Sequence, residues 1–205
     1  MRSGRDLTAA AQIREAAMRL FADRGVAGVT VRDIAAEAGV SPSLVIHHYR
    51  TKDGLKAAVD ERVSAAVAEL LTEVLDPAAG ALTSASMAAV IAARFAGEPA
   101  LPAYLRRLLV EGGGPANALF RRLFDATAGA MAIFDRAGIV RPAADETARL
   151  VFLLANDMAL LILREQIAGI LGVDPLTADG MTRWSDAVLD VYTSGVLIAP
   201  EKGQS

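Results

Sequence analysis

Side chains that could carry out acid–base or metal chemistry are few in this chain. The two histidines, His47 and His48, are adjacent, and there is no cysteine. Neighbouring residues on a helix point about 100° apart, so these imidazoles cannot bind one metal ion together. No HExxH pattern occurs, and the glycine-rich run at 111–115 lacks the Lys-Ser/Thr of a phosphate-binding loop. We therefore expect no enzymatic activity, no metal and no cofactor.

Polar and basic side chains are instead concentrated between positions 30 and 52. In a helix that starts near Pro42, one face would carry Ser43, Ile46, His47 and Arg50. An α-helix fits into the DNA major groove, where its side chains can contact base edges. Basic side chains and the N-terminal ends of neighbouring helices bind phosphates. The residues expected to contact DNA are Thr30, Arg32, Ser41, Pro42, Ser43, Ile46, His47, Arg50 and Lys52.

Three short helices must position this face. The first is amphipathic and ends near Gly25, and the second begins at a capping box formed by Thr30 and Asp33. Ser41 is the expected N-cap of the third, with proline at its first position. Between the second and third helices, five residues fit the spacing of a helix-turn-helix, with a small residue at the crossing, a turn glycine and three core side chains. They are Ala35, Gly39, Ile34, Val40 and Val45.

The rest of the chain also reads as helical. A long fourth helix begins near Thr51, and after a small-residue linker at 77–84 five more helices are predicted. Their approximate ranges are 84–97, 99–111, 115–137, 144–171 and 180–198. No strand pattern occurs. The sequence thus predicts an all-α fold of about nine helices, with a helix-turn-helix domain at 1–53 and a helical effector-binding and dimerisation domain at 54–205.

The segment from Ile13 to Leu55 resembles the DNA-binding domain of the tetracycline-repressor (TetR) family. The resemblance includes the leading amphipathic helix, the Gly-x-x-Gly loop, Thr30, the turn at 39–41, His48-Tyr49 and the start of helix four. It implies a two-fold symmetric dimer that binds a palindromic DNA operator and releases it when a small effector binds. The cytoplasmic location that we expect rests instead on the absence of an apolar signal segment near the first residues and of a membrane span. Repression is the commoner mode in the family, and activation is the other.

The resemblance also implies where the two copies meet and where an effector binds. The dimer would form through the last two long helices, at about 144–171 and 180–198, whose broad apolar faces need a partner. An apolar or amphipathic effector would lie among apolar side chains of the body. The predicted pocket residues are Met87, Ile91, Phe95, Leu108, Phe120, Phe124, Met131, Phe134 and Asn156. Asn156 and Asp157 face either the effector or the dimer seam.

One departure from the family pattern concerns the recognition helix. Ile46 stands where the family commonly has an aromatic residue, often tyrosine. A hydroxyl contact is lost there, and Ile46 could instead touch a thymine methyl group, so we expect a changed operator preference with DNA binding retained. The alternative is a helical dimeric interaction protein that has lost specific DNA binding.

Charge and hydropathy agree with a DNA-binding head on a larger body. The first 55 residues carry eight basic and six acidic side chains, whereas the remainder carries 13 basic and 18 acidic ones. A basic head can approach DNA while an acidic body is repelled by it. The most apolar run, at 150–163, is shorter than the roughly 20 residues of a membrane-spanning helix. We therefore expect no membrane segment.

Overall fold

Ten α-helices and no strand make up the part of the chain that the structure describes. The computed structural model covers residues 4–74 and 84–194, with side chains described from residues 8 and 88 onward in these two segments. The helices are α1 (Gly4–Arg24), α2 (Val31–Glu37), α3 (Pro42–Tyr49), α4 (Lys52–Val74), α5 (Ser84–Gly97), α6 (Ala100–Glu111), α7 (Gly114–Arg136), α8 (Glu146–Ile162), α9 (Arg164–Leu171) and α10 (Ala178–Ser194). The expected all-α fold with an N-terminal helix-turn-helix is confirmed.

The first three helices and the start of α4 pack around one apolar centre, which we call the head. Its central side chains are almost fully buried: Ile13, Phe21, Ile34, Val45 and Leu55 are each at most 1% exposed. Burial of a large apolar side chain contributes about 1.5–3 kcal/mol, so these five side chains form a substantial core for the head.

Helix α4 extends from the head into the remainder of the protein, which we call the body. Its apolar stripe stays buried along the whole helix, from Leu55 through Val59, Val63 and Val67 to Val74. These side chains belong to the same apolar cluster as those of the head. Head and body therefore share one continuous core, and the expected domain boundary at 53/54 falls within the first turn of α4.

The body is built on α5 and α6. Helix α5 packs mainly on α10, and α6 packs on α1 of the head and on α7 and α8 of the body. A group of ion pairs joins α4 to α5: Arg94 pairs with Glu69 at 2.5 Å and with Glu98 at 3.2 Å, and Arg62 also pairs with Glu98. This group fixes α4 against the helix that follows the linker.

The expectation of a single helix at 144–171 is wrong, because the chain forms two helices there. Leu163 has φ −106° and ψ 22°, outside the helical region, and it separates α8 from α9. Arg164, the next residue, then forms a bidentate ion pair with Asp174 in the loop before α10. The break raises the helix count from the expected nine to ten.

The other helix ends differ from the expected ones by a few residues, and some expected elements fall on residues that the structure does not describe. Helix α10 begins at Ala178, two residues before the expected start. The linker at 77–83 and the stretch after residue 194 lie outside the described residues. None of the described helices is both long enough and apolar enough to cross a membrane.

The apolar core predicts a strong effect at Leu55, a fully buried side chain of the head. Replacing Leu55 by alanine should lower the free energy of unfolding by roughly 2–5 kcal/mol, since it removes apolar contacts and leaves a cavity. The matched control is Val110→Ala on α6, where the side chain is 65% exposed and the cost should stay within about 0.5 kcal/mol. Urea titration at fixed protein concentration measures both, and equal midpoints would contradict the burial of Leu55 in the core.

Candidate nucleic-acid interface

The third helix separates its side chains into a buried and an exposed face. Val45 is 1% exposed and packs inside the head. The side chains expected on the outer face of α3 are all exposed, and they are Ser43, Ile46, His47 and Arg50. The head therefore presents a helix whose outer face is open along its length.

The turn between α2 and α3 has the geometry that its sequence predicts. Ile34 and Ala35 are buried, and Val40 packs at the edge of the same cluster. Gly39 has φ +66°, which glycine adopts at little cost, and the Val40 amide donates to the Ala35 carbonyl at 2.9 Å. The predicted helix-turn-helix is thus present, and it fixes the angle of α3.

A reciprocal capping box starts α2. The Asp33 amide donates to the Thr30 hydroxyl at 3.2 Å, while the Thr30 amide and hydroxyl both donate to the Asp33 carboxylate. Both bonds from Thr30 lower the pKa of Asp33, and the bond from the hydroxyl has a larger effect than the bond from the amide. Both donors of Thr30 are used within the head, so a phosphate contact from Thr30 would replace one of these bonds. Arg32, on the first turn of α2, is exposed.

The start of α3 is capped by Ser41. Its hydroxyl accepts from the Leu44 amide at 3.3 Å and lies 2.9 Å from the Ser43 hydroxyl. Pro42 follows as the first residue of the helix, and both Ser41 and Pro42 are exposed. The N-terminal end of α3 is consequently well ordered by local bonds and accessible from outside.

Two side chains at the end of α3 and the start of α4 hold the head together. The Tyr49 hydroxyl donates to the Ala10 carbonyl of α1 at 2.7 Å. The Lys52 ammonium group donates to the carbonyls of Val26 at 2.9 Å and Val29 at 3.1 Å. Lys52 thus fixes the loop between α1 and α2, and one of its three ammonium protons remains for another acceptor.

The connection between α3 and α4 is strained. Arg50 has φ +66° and ψ −51°, and the Thr51 amide donates to the Tyr49 carbonyl at 2.7 Å. These values define a γ-turn of the rare, strained type. A side chain other than glycine at positive φ costs about 1–3 kcal/mol, and such residues are concentrated at functional sites. The strain at Arg50 lies at the position where the sequence predicts a DNA contact.

Two cavities in the body could hold an effector. A cleft of about 470 Å³ lies between α5, the start of α6 and the loop before α10, with Phe95, Arg164 and Asp174 in its wall. A cavity of about 200 Å³ lies between α4, α6 and α7. Its wall is formed by Asp60, Glu61, Val63, Ser64, Leu108, Pro115, Ala118 and Leu119.

The structure distributes the predicted pocket residues over several places. Leu108 lines the smaller cavity and Phe95 lines the larger cleft. The side chain of Met87 lies outside the described residues. Six others line neither cavity: Ile91, Phe120, Phe124, Met131, Phe134 and Asn156.

Apolar side chains on α8 and α10 remain open to solvent in the single chain. On α8 the exposed face contains Val151 and Phe152, and on α10 it contains Val191 and Tyr192. Asp157 is open on one side, but the surrounding chain desolvates its carboxylate and raises its pKa to about 6. This carboxylate in turn contributes, after desolvation, to a raised pKa of Tyr192. The charge of Asp157 is therefore felt at Tyr192 of α10.

Sequence patterns did not identify every important side chain. Arg107 of α6 donates to a carbonyl of α1, and the Tyr104 hydroxyl donates to Asp60 of α4 at 2.6 Å. Both bonds join helices that are far apart in sequence. The one local signal for Arg107 is an arginine pair inside the otherwise apolar stretch of α6. Among the described residues, no group of three or more His, Asp or Glu side chains could hold a metal ion.

An open recognition helix in a small head, joined by a long helix to an all-helical body, defines a helix-turn-helix DNA-binding protein. Comparisons with known proteins identify the family. Residues 13–59 match the family described as bacterial regulatory proteins, tetR family, and residues 98–198 match the tetracyclin repressor-like C-terminal domain. The chain belongs to the tetR family of bacterial regulatory proteins, and it is a DNA-binding transcriptional regulator.

Two relatives agree with this assignment, and a solved structure agrees with the fold. The transcriptional regulatory protein RaaS of Mycobacterium tuberculosis is 40% identical over 155 residues, which are 75% of this chain and 69% of RaaS. A transcriptional repressor of the same species is 45% identical over 71 residues, 35% of this chain and 37% of the repressor. The structure of FadR from Bacillus subtilis, solved with stearoyl-CoA, matches 91% of this chain and 99% of FadR, with a TM-score of 0.66 and 16% identity.

The strained turn allows a comparison between two substitutions at Arg50. Arg50→Gly and Arg50→Ala both remove the guanidinium group, so both should weaken DNA binding to a similar extent. Glycine relieves the positive φ and alanine does not, so the glycine variant should be more stable than the alanine variant by about 1 kcal/mol. Urea unfolding and operator titration measure the two effects, and an alanine variant as stable as the glycine variant would show that the turn is unstrained.

Proposed function

We propose that this protein is an effector-responsive repressor that acts as a cytoplasmic homodimer on a palindromic operator. The observation that carries the proposal is the open outer face of α3, which a buried inner face and two capped helices hold in place. Each copy would insert α3 into a major groove, with the two recognition helices about 34 Å apart, one turn of DNA.

Within this proposal the predicted DNA contacts have distinct roles. Ser43, Ile46 and His47 face the bases, because they share the exposed outer face of α3. The flanking contacts to phosphates come from the exposed helix starts and the cations beside α3: Thr30, Arg32, Ser41, Arg50 and Lys52. Pro42 has no N–H to donate, so its contact with the DNA backbone is an apolar one. Arg32 could reach a guanine edge as well as a phosphate.

Two copies would pair through α8 and α10. Their exposed apolar faces suit an interface in which the same surface of both copies meets around a two-fold axis. Asp157, whose desolvated carboxyl has a pKa of about 6, lies on α8 beside these faces. We therefore place Asn156 and Asp157 at the dimer seam, and we propose that residues 54–205 form the dimerisation and effector-binding domain.

The effector is a small apolar or amphipathic molecule. The walls of both body cavities are largely apolar and include a few charged groups, as is usual for small-molecule sites. A ligand in the smaller cavity would contact α4 directly, through Val63 and Ser64. An effector that prefers a tilted α4 would favour dimers whose heads no longer match adjacent major grooves.

The proposal differs from its alternative, a helical dimeric interaction protein without specific DNA binding, in one measurable property. Fluorescence anisotropy with labelled DNA from around the protein's own gene, in excess nonspecific competitor, should show specific and salt-sensitive binding. Lys52→Ala should weaken binding to all sequences and reduce the slope of log affinity against log salt by about one, as for one lost phosphate contact.

The control for this experiment is Lys56→Ala, one turn further along α4, where the ammonium group pairs with Asp60 at 2.6 Å. It removes the same charge and should leave the salt slope unchanged. Equal slopes for Lys52→Ala and the parent would contradict the phosphate contact. Failure of the folded, dimeric parent to bind every fragment would favour the alternative function.

The exposed Ile46 predicts an altered base preference. Ile46→Tyr should change the preferred base at one or two positions of each half-site, because a hydroxyl replaces an apolar contact in the groove. Selection of binding sites from a randomised operator library measures the preference, and Ile46→Val serves as the apolar control. The same selected sequences for Ile46→Tyr and the parent would show that this side chain does not contact bases.

A further inference from the structure

Arg107 of the body forms bonds to the backbone of the head. Its Nε atom donates to the Ala22 carbonyl at 3.0 Å, and Nη2 donates to the Asp23 carbonyl at 3.1 Å. Its Nη1 atom donates to Glu111 on the next turn of α6 at 3.1 Å. The guanidinium is thus held by a carboxylate on its own helix and directed at the end of another helix.

The two acceptors belong to the last turn of α1. Carbonyls in a last helical turn have no partner within the helix, and they carry the negative end of the helix dipole. The planar guanidinium can bond to two of them at once, which an ammonium group cannot do in the same geometry. Arg107 therefore completes the C-terminal end of α1 from outside the head.

Gly25 allows this close approach. It is buried and has φ +73°, and a Cβ atom placed there would lie 2.8 Å from Arg107 Nη1. The chain turns out of α1 at this glycine and enters the loop that leads to α2. The guanidinium thus packs where the head backbone leaves α1 for the helix-turn-helix.

The loop that begins at Gly25 is also held from a second helix. Lys52, at the start of α4, donates to the carbonyls of Val26 and Val29. The loop and the end of α1 are consequently bound by two cations, one from α4 and one from α6. Lys52 is part of the head, so its two bonds join the loop rigidly to the first turn of α4, and Arg107 then joins this rigid unit to α6 of the body.

Helix α6 also connects this attachment to the effector region. Leu108, adjacent to Arg107, lines the cavity between α4, α6 and α7. Tyr104, one turn earlier, donates to Asp60 of α4 at 2.6 Å. A shift of α6 at the cavity would therefore move Arg107 relative to the end of α1.

We propose that Arg107 is a positioning residue that fixes the orientation of the head on the body through the C-terminal end of α1. When α6 is in place, both carbonyl bonds form and the recognition helix has one orientation. When α6 shifts, the bonds break and the head rotates about α4. The proposal concerns the regulation of the operator binding proposed above, and it rests on that function.

Distance measurements between spin labels test this directly, because the chain contains no cysteine. Labels on Ala36→Cys in α2 and Ala132→Cys in α7, both exposed positions, report the head-to-body distance. Dilution of labelled chains into excess unlabelled protein isolates the distance within one chain. The doubly labelled protein with Arg107 intact should give one narrow distribution of distances between the labels. Arg107→Gln should broaden or shift this distribution and lower operator affinity about tenfold.

Two further variants separate positioning from general stability. Arg106→Gln removes the neighbouring arginine of α6, whose surface pair with Glu165 at 3.7 Å involves no head residue, and it should leave the distance distribution narrow. Arg107→Lys keeps the charge but must make both bonds from one nitrogen atom, whereas arginine uses two, so the carbonyl bonds should be weaker and the distance distribution intermediate. The midpoint of thermal unfolding of Arg107→Lys should stay within a few degrees of that of the parent. A side chain that only stabilised the fold would not give a broadened distance distribution together with an unchanged midpoint.

The outcomes distinguish this proposal from the proposed function. A distribution as narrow for Arg107→Gln and Arg107→Lys as for Arg106→Gln would overturn the positioning role, whether or not DNA binds. A parent protein that binds no DNA, together with a broadened Arg107→Gln distribution, would overturn the proposed function and leave the positioning role supported. Should Arg107→Gln not fold, Arg107→Lys alone decides by the same comparison.

Discussion

The burial of one face of α4 in both the head and the body is the constraint on which the rest of the structure depends. From Leu55 to Val74 this face is almost fully covered, first by α1 and α3 and then by α5 and α7. A helix buried along its whole length cannot tilt without changing contacts at both ends. A change in the position of α4 in the body therefore also changes its contacts in the head.

The contacts around α4 control its remaining freedom. Arg62 and Arg94 fix it against α5, Tyr104 binds it to α6, and Lys52 binds its first turn to the α1–α2 loop. Each of these bonds involves a charged group, and charged pairs depend strongly on geometry, unlike apolar contacts. The apolar core thus holds α4 in place, and the polar bonds define its orientation.

The head could be predicted from the sequence in detail because its signals are local. Gly39 at the turn, the Thr30–Asp33 capping box and Val45 on the inner face each depend on residues a few positions away. The break at Leu163 was missed, since no glycine or proline marks it and the partner of the following Arg164 lies beyond the break. The Arg107 bonds to α1 join residues up to 85 positions apart, and no local pattern carries such information. The predicted pocket residues lie in several places for the same reason: apolar helix faces look alike in sequence whether they line a cavity or fill a core.

The exposed apolar faces of α8 and α10 have a genetic consequence if two copies pair there. Those helices are separate from α3, so a chain with a damaged recognition helix would retain its pairing surface. It would join intact chains and yield mixed dimers with one functional head each. If the operator is two-fold, as proposed, tight binding requires both heads together, and such mixed dimers would bind it poorly. Head mutations would then be dominant over the intact allele, whereas mutations that destroy the pairing surface would be recessive.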